Sequence, residues 1–132
     1  MMYMLDTNIC IYIIKKKLES VLKHLEIKHK GLVISAIILA ELEHGIAASA
    51  YPERNKLALM QFMVIANCLP FTHRAAGEYG RIRADLQRRG KMIGALDMLI
   101  AAHAKSEGLV LVTNNMREFE RVEGLKLENW VD

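Results

Sequence analysis

The chain of 132 residues is long enough for one domain with a substantial core and too short for two, and its 52% apolar residues exclude a disordered chain. Lysine and arginine number 18 against 15 aspartates and glutamates, a mild excess that does not by itself indicate a nucleic-acid partner. No apolar run reaches the roughly 20 residues that cross a bilayer, and no signal-peptide pattern opens the chain, so we expect a cytoplasmic protein without membrane contact.

The first half of the sequence alternates strands with helices. Residues 2–5 predict a short strand, and the residues after it predict helices at 8–14 and 18–28. GLVIS at 31–35 begins with glycine and is rich in branched residues, which favours a second strand. A further helix is predicted at 36–48.

The middle of the sequence predicts two helices around a weak strand. The helices span 53–66 and 73–89, and Gly90 marks the end of the second one. The strand is CLPF at 68–71, and it is weak because Pro70 cannot donate a hydrogen bond to a central ladder.

The last part of the sequence contains the clearest buried strand, LVLVT at 109–113. A helix is predicted before it at 95–106, and a short strand after it near 125–128. The alternation indicates one α/β domain over 1–132, with a parallel sheet and helices on both faces. Such sheets bind ligands outside the carboxyl ends of their strands, near a topological switch point.

Three carboxylates interrupt apolar segments: Asp6 in YMLD, Glu41 in AIILAEL and Asp97 in ALDMLIAAHA. A buried, unpaired carboxylate costs several kcal/mol, and three in one pocket also repel one another. The sequence places no lysine or arginine beside them, so a divalent cation is one way to relieve that cost. Hard oxygen ligands of this kind suit Mg²⁺ or Mn²⁺.

Each of these polar residues also has a purely structural explanation. Asp6 is a good N-cap for the helix that follows it, and Asp97 can cap the helix at 95–106. Glu41 can face solvent if its helix rotates, and Thr113 and Asn115 can form a turn after their strand. The residues alone leave both explanations open.

Cysteine and histidine do not indicate a zinc site. Cys10 and Cys68 have no CxxC spacing, and we expect buried thiols rather than a disulfide. The five histidines are scattered without an HExxH pair. His103 does not share a helix face with Asp97, so we interpret it as structural or peripheral.

The basic residues are unevenly distributed. Six lysines and arginines lie in residues 74–91 against two acids, and residues 15–17 are all lysine. Taken alone, a basic helix is more often a solvated face than a nucleic-acid track. If the three acids line one pocket, however, 18 basic groups face only 12 acidic ones elsewhere. A basic surface around an acidic, metal-filled cleft suits hydrolysis of a phosphodiester.

Four motifs resemble those of a PIN domain in their order and spacing. They are YMLDTNICIYIIK at 3–15, ISAIILAELEHG at 34–45, GALDMLIAAHA at 94–104 and LVTNNMREFERV at 111–122. More narrowly, nearly the whole chain resembles the VapC toxins of bacterial type II toxin–antitoxin systems. The resemblance implies a three-layer α/β/α fold with a central, mainly parallel sheet, and a magnesium-dependent endoribonuclease in which Mn²⁺ can substitute.

The resemblance also implies roles for particular residues. Asp6 and Asp97 correspond to the principal metal ligands, and Glu41 to the second acid of the site. Thr113 corresponds to a strand-end hydroxyl that positions an acid or a water. The candidates for contact with RNA come from the basic segment and are Arg81, Arg88, Arg89 and Lys91.

One position departs from the family pattern. Many members carry a fourth acid two residues after the hydroxyl, where this chain has Asn115. An asparagine can hydrogen-bond a water but adds no charge, so a second metal site is in doubt. Glu118 lies near enough in sequence to act as a substitute.

The family also implies particular partners. The resemblance to VapC toxins implies an inhibitor of translation that cuts tRNA. The expected target is the anticodon loop of initiator tRNA. We expect a cognate VapB-type antitoxin, a toxin homodimer, a larger hetero-oligomer with the antitoxin, and binding to operator DNA through the antitoxin alone. The alternatives are a structure-specific DNA nuclease and a non-catalytic PIN-like binding module.

Overall fold

Five parallel strands form a sheet at the centre of the protein. The computed structural model describes residues 2–28 and 31–131. The sheet order is β3-β2-β1-β4-β5, and all four neighbouring pairs are parallel. The strands are β1 (Tyr3–Leu5), β2 (Leu32–Ser35), β3 (Asn67–Leu69), β4 (Val110–Val112) and β5 (Lys126–Glu128).

Helices connect the strands and cover the sheet on both faces, which gives the expected three-layer α/β/α fold. From β1 the chain moves outward to β2 and β3, and it then returns to place β4 on the other side of β1. The topological switch point therefore lies between β1 and β4. The helices are α1 (Thr7–Ile14), α2 (Glu19–Lys28), α3 (Ala36–Ala47), α4 (Pro52–Phe62), α5 (His73–Arg89), α6 (Ala95–Ser106) and α7 (Met116–Phe119).

Three elements, α4, β3 and α7, differ from the sequence-based expectation by more than one residue at an end. Helix α4 ends at Phe62 rather than at residue 66, because the backbone N–H groups of Val64 and Ile65 bond to carbonyls only three residues back. That tight turn leads into β3, which spans Asn67–Leu69 instead of the predicted residues 68–71. The strand lies at the sheet edge and ends before Pro70, which cannot donate a hydrogen bond to the ladder. Helix α7 was not predicted, since four residues are too few for a periodic pattern.

The core is continuous across both faces of the central strands. Met4 and Leu5 of β1 and Leu111 of β4 are fully buried. Both cysteines are free thiols, as expected, but only Cys10 is buried, and Cys68 is half-buried because it lies on the edge strand β3. Burial raises the pKa of the Cys10 thiol well above its usual value. Within the described residues, no helix is long and apolar enough to span a membrane.

A buried polar contact joins two of the helices that flank the sheet. Ser35 caps α3 by accepting a hydrogen bond from the N–H of Ile37, and its Oγ lies 2.7 Å from Nδ1 of His103 on α6. Phe71 packs edge-on against the imidazole. Nε2 of His103 is buried without a partner among the residues that the structure describes. His103 is therefore structural, as the sequence suggested.

This contact predicts a loss of stability in mild acid. Burial lowers the pKa of His103 below 6.5, although the charge of Glu107 opposes this shift. Below about pH 6.5, His103 therefore binds a proton more readily in the unfolded chain than in the folded protein. We expect the His103 contribution to the free energy of unfolding to fall with pH in that range, by at most about 1.4 kcal/mol per pH unit for one proton. The raised pKa of Asp97 acts in the opposite direction, so the His103 contribution is the difference in slope between the wild type and a His103 variant. Urea unfolding of the wild type at several pH values measures the slope.

The matched controls are His103→Asn and His73→Asn, since His73 is exposed at the start of α5. Replacement of His103 should reduce the acid slope, whereas replacement of His73 should leave it unchanged. Equal slopes in the wild type and the His103 variant would contradict the assignment.

Candidate active site

The carboxyl ends of β1 and β4 place two polar side chains in contact at the switch point. Asp6 directly follows β1, and Thr113 directly follows β4. The Thr113 hydroxyl donates a hydrogen bond of 2.7 Å to Oδ2 of Asp6, and both residues are buried. Oδ1 of Asp6 accepts from the N–H of Thr7 at 2.8 Å, so Asp6 also caps α1. The explanation of Asp6 as an N-cap and its explanation as a metal ligand are therefore compatible.

Burial and hydrogen bonding act in opposite directions on Asp6. Burial raises the pKa of its carboxyl, and the hydrogen bonds from Thr113 and Thr7 lower it, with burial the stronger influence. The two donors fix the orientation of the carboxylate. Asp6 is thus held rigidly at the position that the sequence predicted for a metal ligand.

Glu41 reaches the same region from the first half of the chain. It lies on α3, which follows β2, the neighbour of β1. Oε1 of Glu41 accepts a hydrogen bond of 3.0 Å from the Thr7 hydroxyl. Because Thr7 is next to Asp6, this contact ties the second acid to the first. Its neighbour Glu43 instead pairs with Lys56.

Asp97 completes the group from the second half of the chain. It lies in the first turn of α6, where Gly94 packs against its carboxylate: a Cβ at that glycine would come within 3.3 Å of Oδ2 of Asp97. Burial, a hydrogen bond to Glu118 and the negative charges of Asp6, Glu118 and Glu41 raise its pKa to about 7. The structure thus brings together all three acids selected from the sequence.

Glu118 is a fourth carboxylate of this group. It lies on α7, hydrogen-bonds to Asp97, and its Oε2 accepts from Nδ2 of Asn115 at 3.2 Å. The backbone N–H of Asn115 in turn donates to Oγ1 of Thr113 at 2.9 Å. The sequence indicated Glu118 only by its closeness to Asn115, and α7 is the element that turns it toward the other acids.

The oxygen donors of these carboxylates are of the kind that divalent cations bind. Burial is the largest cause of the raised pKa of Asp97, followed by its hydrogen bond to Glu118 and by neighbouring negative charges, and a cation would offset the contribution of those charges. Within the described part of the chain, no three acidic, imidazole or thiol groups already stand in an arrangement that ligates one ion.

The four basic residues predicted to contact RNA lie on or just after α5. The guanidinium of Arg81 pairs with Glu78, and that of Arg89 pairs with Asp85. Arg88 and Lys91 are exposed, and Arg81 and Arg88 line a groove of about 610 Å³ together with Lys105. The RNA-binding role of these residues stays a prediction.

Comparison with known proteins agrees with this geometry. The PIN domain family matches residues 3–125. Ribonuclease VapC2 of Haemophilus influenzae is 46% identical over 129 residues, which cover 98% of each chain, and the tRNA(fMet)-specific endonuclease VapC of Shigella flexneri is 45% identical over 128 residues, which cover 97% of each. The crystal structure of VapBC2 from Rickettsia felis bound to a DNA fragment from its promoter matches with a TM-score of 0.93 and 42% identity, over 98% of this chain and 99% of that one. The chain therefore belongs to the PIN-domain family and, within it, to the VapC ribonucleases.

Proposed function

We propose that this protein is the toxin of a toxin–antitoxin pair, a single-domain endoribonuclease that cleaves tRNA with Mg²⁺ as its metal ion. The observation that carries the proposal is the convergence of Asp6, Glu41, Asp97 and Glu118 at the switch point of the sheet. A purely structural set of caps would not gather four repelling carboxylates from four segments of the chain.

The residues of the site would divide the work as follows. Asp6 and Asp97 would hold the ion, and when bound it would offset phosphate charge and activate a water for attack. Thr113 and Thr7 fix the carboxylates of Asp6 and Glu41 through the hydrogen bonds already described. The pKa of about 7 means that the Asp97 carboxyl holds a proton in mild acid when no ion is bound, and Asp97 would act as a ligand in its deprotonated form.

The proposed substrate is a single-stranded loop of tRNA, with the anticodon loop of initiator tRNA as the first candidate. Two observations support it: a relative that is 45% identical is named a tRNA(fMet)-specific endonuclease, and an unpaired loop can splay its backbone into a cleft. The exposed side chains of Arg81, Arg88 and Lys91 would contact flanking phosphates. We place the reaction in the cytoplasm, where tRNA is found.

An apolar groove offers a surface for the antitoxin. It has a volume of about 400 Å³ and runs between α1, α2 and α4, lined mainly by aliphatic side chains such as Ile14, Leu22, Leu25 and Ile65. Ile65 is 43% exposed, and exposed apolar surface of this kind favours a protein partner. We propose that an apolar segment of a VapB-type antitoxin binds here.

Larger assemblies are part of the same proposal. Related VapBC complexes from Rickettsia felis and Salmonella typhimurium were crystallised with DNA. We propose that two copies of this toxin pair, that they join a hetero-oligomer with the antitoxin, and that the antitoxin supplies the contact with operator DNA.

The first test replaces the carboxylate that β1 delivers to the site. Asp6→Asn should leave the fold intact, because asparagine is an equally good N-cap, and should reduce Mg²⁺-dependent cleavage of tRNA by more than about 100-fold, since changes beyond the ligands themselves already cost 10–100-fold. Cleavage of purified initiator tRNA, with circular dichroism as a check of folding, measures the effect.

Glu43→Gln is the control, because Glu43 lies on α3 but pairs with Lys56 instead of Thr7. It should cut as fast as the wild type. Undiminished cleavage by Asp6→Asn would refute the proposed chemistry, and equally fast cleavage of branched DNA by the wild type would favour the DNA nuclease.

A second test uses stability instead of activity. At about pH 8, above the pKa of Asp97, Asp97→Asn removes a repelling charge and should stabilise the metal-free protein by about 1 kcal/mol, allowing for partial exposure of the site. Mg²⁺ at 100 times its Kd should stabilise the wild type by about 2.7 kcal/mol, and the variant far less. Thermal unfolding with and without Mg²⁺ measures both effects. If Mg²⁺ stabilised the Asp97→Asn variant as much as the wild type, Asp97 would not be a ligand of the ion.

A third test concerns the groove. Ile65→Asp puts a charge into the apolar lining and should weaken binding of the cognate antitoxin at least about tenfold, since burying an unpaired carboxylate costs more than the 1.4 kcal/mol that a tenfold change represents. Val64→Asp is the matched control, because Val64 is 83% exposed and does not line the groove. Isothermal titration with the antitoxin measures both. Equal losses in the two variants would contradict this docking surface.

A further inference from the structure

Asp97 and Glu118 lie on segments that no strand pairing holds together. Asp97 lies in the first turn of α6, which follows residues 90–94, and Glu118 belongs to the four-residue helix α7. Their carboxylates meet through a hydrogen bond between the two side chains. A contact between the two segments themselves would keep these carboxylates at a fixed distance.

Two arginines provide such a contact. Nη1 of Arg121, three residues after Glu118, donates a hydrogen bond of 2.9 Å to the carbonyl oxygen of Met92. Nη2 of Arg89, at the end of α5, donates a hydrogen bond of 2.5 Å to the carbonyl oxygen of Arg121. The segment after Glu118 is thereby tied both to the residues before Asp97 and to α5.

Arg89 is itself anchored. Its Nε and Nη2 donate to Oδ2 of Asp85, one turn earlier on α5, at 3.0 and 2.6 Å. The same Nη2 also serves the Arg121 carbonyl, so a single planar guanidinium bridges a carboxylate and a backbone oxygen. A lysine has one compact ammonium and cannot reproduce this fork.

We propose that Arg89 and Arg121 are positioning residues, which fasten residues 90–94 and the end of α5 to the segment just after α7 and so set the separation of Asp97 and Glu118. The inference rests on the proposed function, because it assigns the arginines to the same carboxylate site. It gives Arg89 a different role from the RNA contact expected from its charge.

Movement of the fastened loop would reach Asp97 directly. Met92 lies two residues before Gly94, whose backbone packs against the Asp97 carboxylate closely enough that a Cβ would lie 3.3 Å from Oδ2. A shift of residues 92–94 therefore changes the space available to that carboxylate. A site held in place before the ion binds spends less binding energy on ordering its ligands.

The test compares two arginines of α5 that both donate to a backbone carbonyl. Arg89→Lys keeps the charge and loses the bridge. Arg74→Lys is the matched control, since Nη2 of Arg74 donates to the Ser106 carbonyl at 3.1 Å, at the opposite end of α6 from Asp97. Each variant is assayed for kcat and KM on tRNA and for the Mg²⁺ concentration that gives half of the thermal stabilisation.

We expect Arg89→Lys to lower kcat and to raise the half-saturating Mg²⁺ concentration, each by roughly tenfold, with KM for tRNA within about twofold of the wild type. Arg74→Lys should match the wild type in all three. A rise in KM alone for Arg89→Lys would indicate a phosphate contact and overturn the inference. Equal values of kcat, KM and the half-saturating Mg²⁺ concentration in the two variants would also overturn the inference.

Two further measurements keep the outcome clear. If Arg89→Lys does not fold, Asp85→Asn, which frees Arg89 without removing it, should shift the Mg²⁺ requirement in the same direction, and an unchanged requirement would refute the inference. If the wild type binds Mg²⁺ but does not cut tRNA, the proposed function fails, while the Mg²⁺ titration still decides whether Arg89 positions the carboxylates.

Discussion

The structure depends on holding several carboxylates together at one edge of a parallel sheet. Asp6, Glu41, Asp97 and Glu118 come from four segments, and the negative charges of the other three contribute to the raised pKa of Asp97. Hydrophobic burial cannot fix such a group, because every member would be more stable in water. Directed hydrogen bonds do so instead: Thr113 and the N–H of Thr7 hold Asp6, and the Thr7 hydroxyl holds Glu41.

The fold makes these contacts possible through the position of β1. Its two neighbours, β2 and β4, end beside it, so the residues after all three strands meet at the same edge. The helix caps also help to place the carboxylates at this edge. Asp6 caps α1, and Ser35 caps α3, the helix that carries Glu41. The contact of Ser35 with His103 then ties α3 to α6, the helix that carries Asp97.

The sequence predicted much of this arrangement because the signals are local. A carboxylate inside an apolar run is visible without coordinates, and so is the periodicity of α5 and α6, whose bounds match the expectation. The end of α4, the existence of α7 and the ties of Arg89 and Arg121 were not predictable. They depend on a tight turn, a single helical turn and hydrogen bonds between residues about 30 positions apart.

Arg89 shows why the charge of a residue does not by itself indicate its role. Arg89 and Arg88 are adjacent in a basic segment, and composition gives them the same role. The coordinates separate them, because Arg88 is exposed beside a groove, whereas the guanidinium of Arg89 is committed to Asp85 and a backbone carbonyl. A site built from repelling groups needs rigid support around it as well as ligands within it. Basic residues of one helix can therefore be divided between attracting a polyanion and holding the carboxylates that would act on it.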